Sequence, residues 1–187
     1  MTPQEADAAR LQEILGEFYA HRIDRNTCRA AVIDVVLARI GCDRVSMWKF
    51  EGGPGRLNLL CFAAKTAGGP LDTTERRLAQ AEYRIYFNAL IERGTYVSSD
   101  AMNDDALAAM RAAYLVPNHV RSLLDAAFML NGRAYGMVCC EQTASARDWR
   151  AGDVMALRAI CTRLALLMSG APESVLWTTP SLPLQSL

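Results

Sequence analysis

Apolar residues recur at alternating steps of three and four near both ends of the chain, which predicts an amphipathic helix at each end. The first follows a capping-box sequence, Thr2-Pro3-Gln4-Glu5, and its stripe consists of Ala8, Leu11, Leu15 and Phe18. The last spans residues 153–168, with a stripe of Val154, Leu157, Cys161, Leu164 and Met168. A further helix is predicted over residues 26–40, ending at Gly41. The two narrow stripes resemble coiled-coil seams.

Period-two and β-branched patterns predict two hairpins between these helices. Residues 44–51 and 57–66 flank the turn Gly52-Gly53-Pro54-Gly55, and residues 120–130 and 133–142 flank Asn131-Gly132. The Asn-Gly pair is a strong short-range hairpin signal, because both residues tolerate the positive φ that a tight turn demands.

The segment between the hairpins carries weaker signals. A box-like start at Asp72-Thr73-Thr74-Glu75 predicts a helix running to about Glu92, and residues 95–99 predict a short strand. A helix over residues 106–114 is predicted to end at Pro117. The resulting order is helix, helix, two strands, helix, strand, helix, two strands, helix, which describes a single α+β domain over residues 1–169 with a mostly antiparallel sheet. Residues 170–187 contain three prolines and no periodicity, so we expect an extended or mobile tail.

Composition narrows the function classes. The 187 residues include 20 basic and 20 acidic side chains, so no net charge attracts nucleic acid or an anionic membrane, and we expect neither as a partner. No apolar stretch approaches the length of a membrane span and no secretory signal is evident, which favours a cytoplasmic protein. The six cysteines form no C-x-x-C pair, and only His21 and His119 could supplement them, so we expect a reducing compartment and no metal site.

Several fragments, in order, resemble one known family. They are Asp43-Arg44-Val45-Ser46-Met47-Trp48, Tyr86-Phe87-Asn88-Ala89-Leu90, Tyr114-Leu115-Val116-Pro117, Arg121-Ser122-Leu123-Leu124-Asp125-Ala126-Ala127-Phe128, Asn131-Gly132-Arg133 and Gly136-Met137-Val138-Cys139-Cys140-Glu141, then Trp149 and a closing apolar helix. Together they are similar to GAF domains, the sensor modules of bacterial signalling proteins. The resemblance implies a GAF/PAS-like antiparallel sheet with terminal helices on one face, often dimerising, and middle helices over a small-molecule pocket on the other. The fold alone does not identify the ligand or cofactor.

The hairpin register then assigns residues to faces. Pairing Leu130 with Arg133 predicts that Leu124, Ala126, Phe128, Tyr135, Met137 and Cys139 share the helix-covered face. The opposite face would carry Leu123, Asp125, Ala127, Met129, Gly136, Val138 and Cys140 and form the pocket floor. The candidate ligand-binding residues are therefore Asp125, Leu123, Ala127, Val138 and Cys140, with Tyr86, Tyr114 and His119 from the segments above. The alternative is that Ala127 and Gly136 only permit close helix packing and that Asp125 caps a backbone N–H.

The special chemistries found among GAF domains are poorly matched. The Asn-Lys, Phe and Asp-Glu constellation of members that bind cyclic nucleotides is not assembled here, and His119 has no neighbouring cysteine as bilin-binding members require. Members that reduce free methionine sulfoxide use thiols on pocket loops, whereas Cys61, Cys139 and Cys140 fall on predicted strands. Haem ligation by His119 is a minor alternative. No histidine is placed against a nucleophile, so catalysis is not the leading expectation.

The leading prediction is a sensory or regulatory protein that binds a small molecule and signals through its terminal helices, to a partner protein, as a homodimer. The alternatives are a ligand-free interaction module and a thiol-based reductase. The dimer residues predicted from the seams are Leu11, Leu15, Phe18, Leu157, Cys161 and Leu164. The competing arrangement buries these residues against the sheet within one chain.

Overall fold

An antiparallel sheet forms the centre of an α+β fold, as the sequence predicts. The computed structural model describes residues 1–53, 55–73, 76–131 and 133–169. The helices are α1 (Pro3–Tyr19), α2 (Arg25–Ile40), α3 (Arg84–Arg93) and α4 (Ala151–Ser169). The strands are β1 (Arg44–Glu51), β2 (Asn58–Thr66), β3 (Gly69–Pro70), β4 (Arg77–Ala79), β5 (Thr95–Ser98), β6 (Ser122–Leu130) and β7 (Arg133–Gln142). Pro54, Thr74, Glu75, Gly132 and the predicted tail at 170–187 lie outside the described residues.

Among the described residues, the strands form one sheet in the order β3-β2-β1-β7-β6-β5, with β4 also paired to β2. Consecutive hairpins β1–β2 and β6–β7 meet where β1 pairs with β7. The longest strands therefore lie side by side at the centre of the sheet, and both of their faces are covered by helical segments.

Local signals set the predicted helix ends. The Thr2 hydroxyl accepts a hydrogen bond from Glu5 N at 3.2 Å, and Glu5 Oε2 accepts one from Thr2 N at 2.7 Å, completing the predicted capping box. Gly41 and Gly94 end α2 and α3 with φ of 65° and 68°, a left-handed conformation that costs glycine little.

The predicted helix over residues 72–92 was wrong in its first half. Residues 77–79 form β4, which pairs with residues 58–60 of β2 and buries Leu78, and α3 begins only at Arg84. Sheet pairing and burial at Leu78 outweigh the local helix signal. The predicted helix over 106–114 is also not α-helical: a 3₁₀ segment at Asp105–Met110 continues as a π-helical turn at Arg111–Leu115.

A β-bulge determines which side chains of the last hairpin share a face. Leu130 pairs with Arg133 as predicted, but the register shifts between Phe128 and Met129, so Phe128 lies opposite Gly136 rather than Tyr135. Because side chains alternate along a strand, this one-residue shift exchanges the two faces of β7 relative to β6. Gly136, Val138 and Cys140 therefore share a face with Phe128, while Met137 and Cys139 share one with Asp125. The predicted placement of Val138 and Cys140 on the Asp125 face was wrong.

Two apolar layers follow from this register. Helices α2 and α4 pack against one face and α1 packs against both of these helices; the buried set there includes Val32, Val36, Leu124, Ala126, Phe128, Val138 and Cys140. On the other face α3 and the 3₁₀ and π segments cover a second buried set, including Trp48, Tyr86, Phe87, Leu90, Leu107, Leu115, Leu123 and Met137. We call these the terminal-helix layer and the middle-helix layer.

The residues predicted to form a dimer seam are instead buried within the single chain. Every one of them is at most 8% exposed and belongs to the terminal-helix layer: Leu11, Leu15, Phe18, Leu157, Cys161 and Leu164. The stripe of α1 packs against α2 and α4, and the stripe of α4 packs against β6 and α1, so these six side chains are covered within the chain. The homodimer itself stays a prediction, with exposed residues such as Met155 and Leu166 available for it.

Truncation of Leu164 tests this placement. We expect Leu164→Ala to lower the free energy of unfolding by about 2–5 kcal/mol, because it leaves a cavity in the core of one chain. Leu166→Ala, at a side chain 55% exposed on the same helix, should cost less than about 1 kcal/mol. Urea unfolding measured at two protein concentrations provides the test. A Leu164→Ala protein that is as stable as the wild type but changes its oligomeric state would contradict the placement.

Gly136, which lies in β7 between β1 and β6, gives a second test. A Cβ there would overlap the Trp48 carbonyl oxygen and would lie 3.2 Å from Phe128 Cδ2. Gly136→Ala should therefore destabilise the protein by about 1–3 kcal/mol, through overpacking of a site with backbone on one side. Gly152→Ala is the matched control, since a Cβ at that position meets no atom within 4 Å. Equal stability of the two variants in urea would show that the bulged register is incorrect.

Candidate functional site

Asp125 is the polar centre of the middle-helix layer. The register of β6 directs it toward α3, between Leu123 and Ala127, and it is 1% exposed. The Tyr86 hydroxyl of α3 donates a hydrogen bond to Asp125 Oδ2 at 2.6 Å and lies 3.3 Å from Met137 Sδ. Asp125 Oδ1 is buried and has no hydrogen-bond partner of good geometry among the described residues. A carboxyl oxygen held in this way is an unusual and costly feature of an apolar layer. We call Asp125, Tyr86, Met137 and Cys139 the Asp125 site.

Burial changes the acid-base behaviour of this site. Desolvation raises the pKa of Asp125 to about 7, although hydrogen bonding with the Cys139 thiol and the Tyr86 hydroxyl acts in the opposite direction. Desolvation raises the pKa of Tyr86 and of Cys139 well above the usual values, and the nearby Asp125 carboxyl acts in the same direction to a smaller extent. The Tyr86 hydroxyl and the Cys139 thiol are therefore neutral near pH 7, while Asp125 titrates there.

A buried ion pair lies next to this site. Arg44 of β1 is bonded through Nε to Glu141 Oε2 of β7, and the Tyr114 hydroxyl donates to Glu141 Oε1 at 2.7 Å. Glu141 is fully buried and Arg44 is 7% exposed, and Arg44 Nη2 also donates to Asn118 O at 3.4 Å. These contacts tie the turn after the π-helical segment to the centre of the sheet.

Aromatic rings surround the two polar groups. The Tyr86 and Tyr96 rings are 5.1 Å apart and steeply tilted, and the Trp48 and Tyr114 rings meet edge to face at 6.3 Å. Tyr96 donates to Asp104 Oδ2 at 2.8 Å, which fixes the start of the 3₁₀ segment. The site thus combines flat apolar surfaces with one carboxyl oxygen that lacks a well-aligned donor among the described residues.

The structure brings together five of the predicted ligand-binding residues. Asp125, Leu123, Ala127, Tyr86 and Tyr114 all lie in or beside the middle-helix layer. Val138 and Cys140 lie in the terminal-helix layer, on the opposite face, because of the bulge.

His119 also lies apart from the Asp125 site. It is exposed in a turn with φ of 55° and borders a separate cavity of about 130 Å³ that Leu115 and Val120 also line. The minor haem alternative therefore gains no support, because His119 is exposed and lines a cavity that does not include Asp125 or Tyr86.

Sequence reasoning missed Met137, Cys139, Arg44 and Glu141. Met137 and Cys139 were assigned to the wrong face, since nothing in the local pattern marks the bulge. The sequence does contain an indication of the charged pair. Arg44 is the first residue of one apolar strand and Glu141 is the second-last residue of another, so both would be buried if these strands paired at the centre of the sheet. Their partnership depends on the β1–β7 pairing, which joins residues far apart in the chain.

The described residues contain no group of three or more His, Cys, Asp or Glu placed to hold a metal ion. They also include no helix that is both long and apolar enough to cross a membrane.

The raised pKa of Asp125 predicts a pH dependence of stability. The folded state keeps its proton up to about pH 7, whereas the unfolded state loses it near the ordinary value of 3.8, so between these values the folded state binds more protons. This contribution to stability is therefore complete below about pH 4 and is lost as the pH rises to 7, by at most about 1.4 kcal/mol per pH unit. Asp125→Asn should remove this pH dependence of stability, so the variant should become more stable relative to the wild type as the pH rises from about 4 to 7.

Urea unfolding from pH 4.5 to 8 measures this difference. Asp105→Asn, at an exposed carboxylate, serves as the control and should run parallel to the wild type. If the difference between Asp125→Asn and the wild type is the same at every pH, Asp125 does not titrate in this range in the folded protein.

Comparison with solved structures shows the same fold at low sequence identity. The GAF domain of an Acinetobacter phosphoenolpyruvate-protein phosphotransferase matches with a TM-score of 0.66 and 14% identity, over 90% of this chain and 94% of that one. The blue-light absorbing form of the Thermosynechococcus elongatus PixJ GAF domain matches with a TM-score of 0.64 and 16% identity, over 77% and 84%. The chromophore-binding domain of Stigmatella aurantiaca bacteriophytochrome gives 0.63 and 13%, over 91% of this chain and 62% of that one.

Comparison with curated protein sequences gave no significant match. The GAF domain model, in contrast, matches residues 24–168, from the residue that caps α2 to the last turn of α4. This span includes the strands and the Asp125 site described above, and it covers well over half of the sequence. The chain belongs to the GAF domain family.

Proposed function

We propose that this protein is a sensory or regulatory GAF module that binds a small molecule between the sheet and α3 and transmits its occupancy to the terminal helices. The observation that carries the proposal is Asp125, a carboxyl group 1% exposed, whose Oδ2 accepts a hydrogen bond from Tyr86 and whose Oδ1 has no hydrogen-bond partner of good geometry among the described residues, although the Cys139 thiol interacts with the carboxyl group. A polar group kept in an apolar layer without full hydrogen bonding costs stability, and a ligand that supplies the missing partner recovers that cost.

The site favours a ligand with a donor group on a flat ring. An N–H or cationic group would pair with Asp125 Oδ1, and the rings of Tyr86 and Tyr96 would contact the ring faces or edges. The Tyr86 side chain now fills the space directly above the carboxyl, so binding requires this tyrosine to move. Occupied and empty states therefore differ in the position of the Tyr86 side chain.

The strands offer a direct route to the opposite layer. Asp125 is followed by Ala126, whose carbonyl oxygen accepts a hydrogen bond from Cys161 Sγ of α4 at 3.4 Å. A ligand that displaces β6 at Asp125 would therefore act on α4 through the next residue. Such coupling needs different ligand affinities for the two helix arrangements, and a partner protein or second copy that contacts the exposed helix surface.

Chromophore binding is a narrower candidate, suggested by the T. elongatus and S. aurantiaca structures. Within the described residues it lacks support from side chains, because His119 lies in an exposed turn away from the Asp125 site and the buried Cys139 thiol lies beside a carboxyl group rather than a histidine. A thiol-based reductase is disfavoured at this site for a similar reason, since burial keeps the Cys139 thiol protonated.

Ligand screening tests the proposal. Native mass spectrometry of protein purified from its source, followed by a thermal-shift screen with amino acids, nucleotides, haem and tetrapyrroles, should identify a compound that raises the melting temperature. Its affinity should fall by about tenfold or more in Asp125→Ala, because the paired donor loses its acceptor.

Asp105→Ala is the matched control for removal of a carboxylate and should bind like the wild type. Binding that is equal in Asp125→Ala and the wild type would place the ligand elsewhere. A screen in which no compound is retained or stabilises the protein would favour the ligand-free interaction module.

A further inference from the structure

A cavity of about 790 Å³ lies where the chain passes from α1 to α2. It is lined by the end of α1, the connecting turn and the first two turns of α2. The lining side chains include Arg22, Arg25 and Arg29, together with Tyr19, His21 and Asp24. Basic and aromatic side chains thus converge on one concave surface, which we call the α1–α2 cavity.

Helix spacing brings two of the arginines to the same wall of this cavity. Arg25 and Arg29 are four residues apart in α2, so their side chains leave the same face of the helix one turn apart. Burial, and then the positive charge of Arg25, lower the pKa of Arg29 to about 10. An anion in the α1–α2 cavity would offset this repulsion between like charges.

Arg29 is held in place by a strand of the sheet. Its side chain lies mostly within the protein, since the residue is 6% exposed. The guanidinium carbon lies 4.7 Å from the centre of the Phe62 ring, and Nη1 donates a hydrogen bond to Phe62 O at 3.4 Å. Because Phe62 belongs to β2, this wall of the cavity is attached to the sheet. A guanidinium group fixed in this way loses little conformational freedom when it binds an anion.

Two carboxylates near the cavity have defined partners. Asp24 caps α2, and its Oδ1 accepts a hydrogen bond from Thr27 N at 2.7 Å. Glu17 accepts hydrogen bonds from Nε and Nη2 of Arg22, both at 2.7 Å. The three lining arginines outnumber these two carboxylates, and the N-terminal end of the α2 dipole adds to the positive potential.

We propose that the α1–α2 cavity binds an organic phosphate, a small molecule that carries a phosphate monoester group and a flat ring. The phosphate oxygens accept hydrogen bonds from the guanidinium groups, whose planar donor geometry matches phosphate. The ring contacts Tyr19, a side chain that lines the cavity and is 37% exposed. The cavity volume lies within the range of about 300–1,000 Å³ that is usual for small-molecule sites.

A phosphate fits this cavity better than a carboxylate does. Its three terminal oxygens can accept hydrogen bonds from several guanidinium groups at once, whereas a carboxylate is suited to one bidentate pair. A ligand bound to both Arg22 and Arg29 would hold the connecting turn against α2. The proposal is independent of the Asp125 site, because Phe18 and Phe62 belong to the terminal-helix layer, on the other face of the sheet.

Calorimetric titration of the full chain tests the proposal. The probes are inorganic phosphate and adenosine 5′-monophosphate, added at an ionic strength that sodium chloride keeps constant. We expect one molecule of the monophosphate to bind each chain, about tenfold more tightly than inorganic phosphate, because the base adds a ring contact. The melting temperature should rise with the monophosphate concentration.

Variants separate the phosphate contact from the ring contact. Arg25→Gln should weaken the binding of both probes by about tenfold, because it removes a charged hydrogen-bond donor. Tyr19→Ala should weaken the binding of the monophosphate and leave that of inorganic phosphate unchanged. Arg10→Gln is the matched control and should bind like the wild type, since Arg10 is exposed on α1, pairs with Glu13 at 2.6 Å and does not line the cavity.

Three results would overturn the proposal. They are the absence of binding of both probes, an equal loss of affinity in Arg25→Gln and Arg10→Gln, and equal affinity of the wild type for inorganic phosphate and the monophosphate. If circular dichroism shows that Arg25→Gln does not fold, the ¹H–¹⁵N spectrum of the wild type decides. Chemical-shift changes centred on residues 18–29 on addition of the monophosphate would support the site, and changes centred elsewhere would overturn it.

Discussion

The pairing of β7 with both β1 and β6 is the constraint on which the rest of this structure depends. It places the β1–β2 and β6–β7 hairpins side by side. The bulge in β6 between Phe128 and Met129 determines which residues of β7 face each helical layer. Gly136 lies where β7 passes closest to Trp48 and Phe128, so the absence of a side chain there is a condition of the packing. The Asp125 site, with Cys139 opposite Asp125, is a consequence of this register.

The two layers differ in the polar groups that they contain. The terminal-helix layer is nearly all apolar and packs α2 and α4 against the sheet, with α1 against these two helices. The middle-helix layer contains Asp125, Tyr86, Glu141 and Tyr114 among large aromatic rings. Burying these groups is unfavourable unless each is paired, and Asp125 Oδ1 has no partner of good geometry in the described part of the chain. In this fold the less satisfied layer is therefore the one expected to gain most from a ligand.

Short segments connect the layers. Adjacent residues along β6 and β7 face opposite sides of the sheet. Asp125 and Cys139 therefore lie in the middle-helix layer, and their neighbours Ala126 and Cys140 lie in the terminal-helix layer. The Cys161 thiol on α4 contacts the Ala126 carbonyl, and Arg147 contacts the end of α2. A change at the Asp125 site thus reaches a terminal helix through one or two contacts, so no long pathway is needed.

The sequence by itself determined the elements whose signals are local. The capping box at Thr2, the glycines that end α2 and α3, the strand at 44–51 and the turn before Arg133 were all predicted because each depends on residues a few positions apart. It also singled out Asp125 as a candidate, since a carboxylate in an apolar strand is conspicuous, and the structure places it against Tyr86. Only the tertiary structure decided that the helix stripes are buried within the same chain, that residues 77–79 pair with β2, and that Cys140 and Val138 lie away from Asp125. Each of these outcomes depends on contacts between residues distant in sequence, and a one-residue shift in pairing is enough to exchange the faces of a strand.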